Sequence, residues 1–156
     1  MRRLLVAVAV TTAFAVLPTQ AAVATAPVQI RISEPASFVL PGSDFCGFDV
    51  RVDLQQKFKA IFFAHRQGWG FTGLTAGKIK ATFTNLESGG STSISIPGPG
   101  FLDTSGLPIV GTGPWVIFVP GRILYLVGHI RFRPTSYGVD VASLRGRMLD
   151  LCTVLR

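Results

Sequence analysis

Histidine, acid and cysteine are all scarce in this chain. It has two His, eight Asp or Glu and two Cys against fifteen Lys or Arg in 156 residues. Each shortage excludes something. His65 and His129 are far apart, and no His-x-His or Cys-x-x-Cys spacing occurs. The sequence therefore offers no metal-ligand set, because zinc sites need three or four convergent donors. A lone strand histidine is more often a structural or surface group than a catalyst. No serine stands in the strained Gly-flanked turn of a nucleophile elbow. Ser43-Asp44 and Ser105-Gly106 lie near glycines without matching it. Glycoside hydrolysis wants two acids about 5 to 10 Å apart across a cleft. Asp49 and Asp53 would lie on one strand face about 13 Å apart at about 3.3 Å per residue. The other acids, Glu34, Asp44, Glu87, Asp103, Asp140 and Asp150, fall mostly in turns, where carboxylates bond nearby backbone. A calcium-holding turn at Asp103 or Asp44 is the one cation site considered, and nothing further in the sequence supports it. The reading is therefore of a chain without catalytic residues, metal or cofactor.

Long apolar runs are also missing, with one exception at the start. Arg2 and Arg3 precede an apolar or small stretch over residues 4–17, broken by Pro18 and followed by Ala22-Val23-Ala24. A positive n-region, a short apolar core and a small-x-small cleavage pattern describe a secretory signal. The run is too short for a spanning helix, which needs about 20 apolar residues. The expectation is a signal peptide at residues 1–24, a single mature domain at residues 25–156, a secreted, extracellular location and no membrane span after processing. Removing two Arg leaves thirteen bases against eight acids, a mature charge of +5. The bases are scattered, which suits loose contact with anionic cell-wall polymer. Nucleic acid is not an expected partner of an exported chain.

Helical periodicity never persists for three turns in the mature chain, and alternation takes its place. Residues 46–54 put Cys46, Phe48, Val50, Val52 and Leu54 on one face, and residues 78–86 and 91–96 repeat the pattern. Glu87-Ser88-Gly89-Gly90 between the last two predicts a β-hairpin over 78–96. More continuously apolar segments at 58–65, 115–119 and 123–132 suit strands buried on both faces. Shorter strands are expected at 28–32, 37–40, 139–142 and 144–152. Seventeen Gly and ten Pro punctuate them. The tracts Gly98-Pro99-Gly100 and Gly111-Thr112-Gly113 read as turns, since no helix follows them to complete a phosphate cradle. Many short strands with regular turn signals predict an all-β antiparallel sandwich of roughly eight strands, with a closed β-barrel as the alternative. Cys46 and Cys152, in an oxidising compartment, are expected to form one disulfide. Closing a loop of that size is assigned about 4 to 5 kcal/mol by the chain-entropy model.

What remains for function is surface. Arg66-Gln67-Gly68-Trp69-Gly70-Phe71 places Trp69, Arg66 and Phe71 in a Gly-rich loop, and Trp and Arg are enriched in binding hot spots. Trp115, inside an apolar run, reads as core, and Phe101 suits either role. The segments Phe38-Val39-Leu40-Pro41-Gly42-Ser43-Asp44-Phe45-Cys46-Gly47-Phe48-Asp49-Val50, Thr82-Phe83-Thr84-Asn85-Leu86, Ser95-Ile96-Pro97-Gly98-Pro99-Gly100 and Asp150-Leu151-Cys152 resemble small exported actinobacterial proteins of unassigned function. The resemblance implies export, the Cys pairing and single-domain size, and carries no site residues. The expected function is a non-enzymatic binding or interaction domain, with a cell-wall polymer or an extracellular protein as partner. The alternatives are an inhibitor of an extracellular hydrolase, presenting 66–73 or 97–106, and an enzyme of unrecognised type.

Overall fold

The structure, a computed structural model, describes residues 26–63 and 72–156. The expected signal peptide and the loop residues Arg66, Trp69 and Phe71 lie outside the described residues, as does His65. The described chain is nearly all antiparallel β. Its strands are β1 (Val28–Ile32), β2 (Ala36–Leu40), β3 (Val50–Phe62), β4 (Gly73–Asn85), β5 (Ser91–Ile96), β6 (Gly100–Leu102), β7 (Pro108–Val119), β8 (Arg122–Thr135) and β9 (Gly138–Asp150). One helical turn, α1 (Leu151–Val154), follows. No described helix is long and apolar enough to cross a membrane.

All nine strands belong to one hydrogen-bonded sheet that does not close into a barrel. The path runs β1-β3-β4-β6-β7-β8-β9, with β2 beside β3 and β5 beside β4. Two long strands are thus each flanked by two short ones. Along β3, β1 pairs with residues 58–62 and β2 with 50–54, leaving 55–57 without a partner on that edge. Along β4, β5 pairs with 79–84 and β6 with 73–75. The interruptions carry prolines: Pro35 between β1 and β2, Pro97 and Pro99 between β5 and β6. Proline removes a ladder donor and ends pairing there. The three-residue β6 is the corner linking the β3–β4 half to the β7–β9 half. The two expected layers are therefore halves of a single sheet rather than two separate sheets.

The core has two parts. The first joins Val50 and Val52 of β3, Ala81 and Phe83 of β4, Ile123 of β8, and Leu151, Cys152 and Leu155 at the C-terminus. The second gathers Ile117, Leu124, Leu126, Ile130 and Phe132 from the β7–β8 hairpin. Gly113, Gly128 and Gly146 face one another across β7, β8 and β9. Gly113 and Gly128 have φ of +80° and +144°. A Cβ on Gly128 or Gly146 would collide with the neighbouring strand's backbone. This row gives the hairpin a backbone path that residues with side chains rarely follow.

Several expected boundaries move. The strand expected from Cys46 starts at Val50, because residues 41–49 form a compact turn. Gly47 N–H donates to Gly42 O at 2.8 Å, and Gly42 N–H donates to the Asp49 carboxylate at 2.8 Å. Cys46 and Phe48 are buried all the same. Their alternation reflects turn residues tucked under the core, which period-two patterning does not distinguish from a strand. The expected strand at 144–152 ends at Asp150. There the Asp150 side chain accepts the Cys152 N–H at 3.0 Å and caps α1. The disulfide between Cys46 and Cys152 is present, with Cα atoms 5.2 Å apart, and ties the 41–49 turn to α1 inside the first core.

A candidate ligand cavity

Between the two halves of the sheet lies an apolar cavity of about 340 Å³. Val52, Leu54 and Phe58 of β3 form one wall, with Ile79, Ala81 and Phe83 of β4 beside them. Ile96 and Gly98 contribute from the β5 side, Leu102 from β6, and Trp115, Val116 and Phe118 from β7. The alternation of β3 and β4 dictates this wall. The paired positions Leu54/Ala81 and Val52/Phe83 put apolar side chains on one face, while Arg51/Thr84, Gln55/Lys80 and Lys57/Lys78 take the other. The side chains with polar atoms in the lining are the Thr75 hydroxyl and the Trp115 indole.

Trp115 is held by glycines. A Cβ on Gly98 or Gly111 would come within 2.7 or 2.6 Å of its indole nitrogen, and a Cβ on Gly100 would overlap its six-membered ring. The indole also tilts against Phe132 with ring centroids 5.3 Å apart. The segment Pro97-Gly98-Pro99-Gly100, read from sequence as a turn, thus also clears space for an aromatic side chain, and Gly100 opens β6. The expected packing role of Trp115 holds in part: it is half-buried against the second core and also lines the cavity. Its Nε1–H is fully buried and, among the described residues, has no hydrogen-bond acceptor.

The remaining candidates take other places. His129 is exposed on β8, opposite Thr112 and Arg145. Asp103 accepts the backbone N–H groups of Ser105 and Leu107 at 2.8 and 3.0 Å, so its carboxylate shapes the 103–107 turn. Asp44 accepts the Ser43 hydroxyl at 3.0 Å. Asp53 binds Arg51 at 3.1 Å and the Ser37 hydroxyl at 2.7 Å. Among the described residues no group of three His, Cys, Asp or Glu could hold a metal ion. The 97–106 segment is not one free loop, since Gly100–Leu102 is strand and Gly98 lies against Trp115. The Asp140 carboxyl is held below its usual range by a 2.6 Å hydrogen bond from Arg133 and by the Val141 N–H. That pair is exposed at the far end of the β8–β9 hairpin, away from the cavity.

Two features of the site escaped sequence reasoning, the facing of β3–β4 against β7 and the glycine clearance around Trp115, and outside the site so did the buried Asn85. Asn85 Nδ2 donates to Leu155 O at 3.1 Å, and its Oδ1 accepts the N–H groups of Glu87 and Ser88 at 2.8 and 3.2 Å. It locks the β4–β5 turn to the C-terminus beside the first core. No protein family, curated protein or solved structure matches this chain.

Proposed function

We propose that this protein is a non-enzymatic binding domain that takes an apolar molecule into the cavity between β3–β4 and β7. The observation that carries the reading is the cavity's size and lining. Small-molecule sites are concave, about 300 to 1,000 Å³, and mostly apolar with a few polar groups that orient the ligand. The cavity of about 340 Å³ falls in that range. It has more than twice the volume of a dry engineered cavity of about 150 Å³ that binds benzene. The buried disulfide fits an oxidising compartment, in keeping with export and an envelope or extracellular setting for the ligand.

The test is calorimetric titration of the oxidised protein with decanol, a neutral ligand. One-site saturable binding with a negative heat-capacity change is expected, because apolar burial gives that sign. Ile79→Trp, which fills the cavity from β4, should abolish it while leaving the thermal unfolding cooperative. Absence of saturable heat, or binding unaltered by Ile79→Trp, overturns the reading.

A further inference from the structure

The cavity does not stand by itself. A second depression, of about 400 Å³, is lined by Arg31 and Ser33 from β1 and its turn and by Lys57 and Lys59 from β3. Phe58, Ala76 and Gly77 line both spaces, so the two lie against opposite faces of one stretch of the β3–β4 pair, the apolar side chains on the cavity face and Lys57 and Lys59 on the other. The edge of β3 beside them is uncovered. β1 ends at Ile32 and β2 begins at Ala36, so the sheet edge is interrupted beside Lys57. Opposite Phe58, β4 has Gly77 at φ +150°, where a Cβ would collide with the Lys57 and Phe58 backbone. The two strands are in close backbone contact here, so the way from one face to the other is round the uncovered edge of β3 at residues 55–57.

The charge around the depression is one-sided. Arg31 faces Lys59 across the β1–β3 pair, and Lys57 faces Lys78 across the β3–β4 pair. All four side chains belong to exposed residues. Like charges directly opposite one another destabilise a sheet. Among the described residues the ion pairs are those of Arg51, Arg122 and Arg133, so no carboxylate offsets these four cations at contact distance. Glu34, in the turn after Ser33, makes none with them. An anion seated here would relieve two repulsive cross-strand pairs at once.

Resting on the cavity reading above, we infer that the ligand is a single-chain anionic amphiphile, with its tail in the apolar cavity and its carboxylate or phosphate head over Arg31, Lys57 and Lys59. The sheet interruption is the place where one molecule spans both environments. Exposed charge pairs are individually weak and screened by salt. Three cations converging on one head should therefore favour the charged ligand by about tenfold at low ionic strength, most of it lost in molar salt.

The experiment compares decanoate with decanol on the oxidised protein, at low and at high salt. It is repeated on Lys57→Gln/Lys59→Gln. Decanoate should bind about tenfold tighter than decanol at low salt. The double variant should lose that advantage and keep the decanol affinity, which also shows that its cavity is intact. Equal affinity for the two ligands, or a decanoate advantage that survives the double variant, overturns the inference while leaving the cavity reading standing. Failure of both ligands to bind overturns both. Capture of the protein by anionic phosphatidylglycerol vesicles without decanoate binding assigns the cations to a membrane surface and likewise overturns it.

Discussion

Asn85 is the buried polar side chain at the end of β4, and Asn85→Ala tests how the hairpin is joined to the rest of the molecule. The substitution removes one turn acceptor, shared by the Glu87 and Ser88 N–H groups, and one donor to Leu155 O. A net hydrogen bond is worth about 1 kcal/mol, and a buried group left unpaired costs about 1 to 3 kcal/mol. The turn N–H groups lie where water reaches them. Leu155 O keeps a longer contact from the Ser88 hydroxyl at 3.4 Å. The loss should therefore be about 2 to 3 kcal/mol rather than the full sum. For a domain of this length each kcal/mol moves the midpoint by about 3 to 5 °C, so a fall of roughly 10 °C is expected. Thermal unfolding followed by circular dichroism on the oxidised protein measures it. Asn85→Asp supplies the control. It keeps the turn acceptor but points a carboxylate at the Leu155 carbonyl, so it should be at least as damaging at neutral pH and less so in acid. A loss below about 1 kcal/mol for Asn85→Ala would refute the claim that this side chain fastens the turn to the C-terminus.

Three further outcomes follow from the same structure. Replacing Cys46 and Cys152 together by Ala should lower stability by about 3 to 5 kcal/mol, read by denaturant titration, because the bond closes a loop spanning 106 residues of sequence separation. Gly100→Ala or Gly111→Ala should displace the Trp115 indole and cost about 1 to 3 kcal/mol, with a shift in tryptophan emission as the companion signal. Since the folded carboxyl of Asp140 titrates below its unfolded value, its pairing with Arg133 stabilises at pH above the unfolded carboxylate pKa of about 3.9. That contribution fades as pH falls through the lower folded value, so the small difference between wild type and Asp140→Asn should vanish in acid. Unfolding curves across pH would show it.

The hairpin of β4 and β5 was legible because two alternating runs flank Gly89-Gly90, and turn chemistry and periodicity agree there. The short edge strands β1 and β2 were legible at 28–32 and 37–40 on either side of Pro35. The Cys46–Cys152 bond followed from there being two cysteines. Two neighbouring readings failed for a common reason. Cys46 and Phe48 alternate with polar residues as a strand would, yet they sit in a turn that is packed into the first core and carries the disulfide. Leu151 and Cys152 continue an apolar pattern, yet they begin a helical turn, and Asp150 as a capping residue was the available signal. β6 has three residues and no periodicity of its own. It is a strand because residues 73–75 of β4 and 108–111 of β7 pair with it on either side.

The cavity was the least legible feature. Its walls come from β3, β4, β6 and β7, which are brought together by non-local pairing, and its clearances come from glycines whose missing side chains only matter once Trp115 lies over them. The basic depression was hidden for a related reason. Arg31, Lys57, Lys59 and Lys78 look scattered in the sequence, and the register of β1, β3 and β4 gathers them.

The central claim, that the space between the sheet halves receives an apolar chain, is tested most directly by titrating the oxidised protein with straight-chain alcohols of increasing length. Each methylene entering the cavity should add about 0.8 kcal/mol, about a fourfold gain in affinity, until the volume is filled and the gain stops. An affinity that does not change with chain length, or that climbs without limit as for adsorption to an open surface, would contradict it.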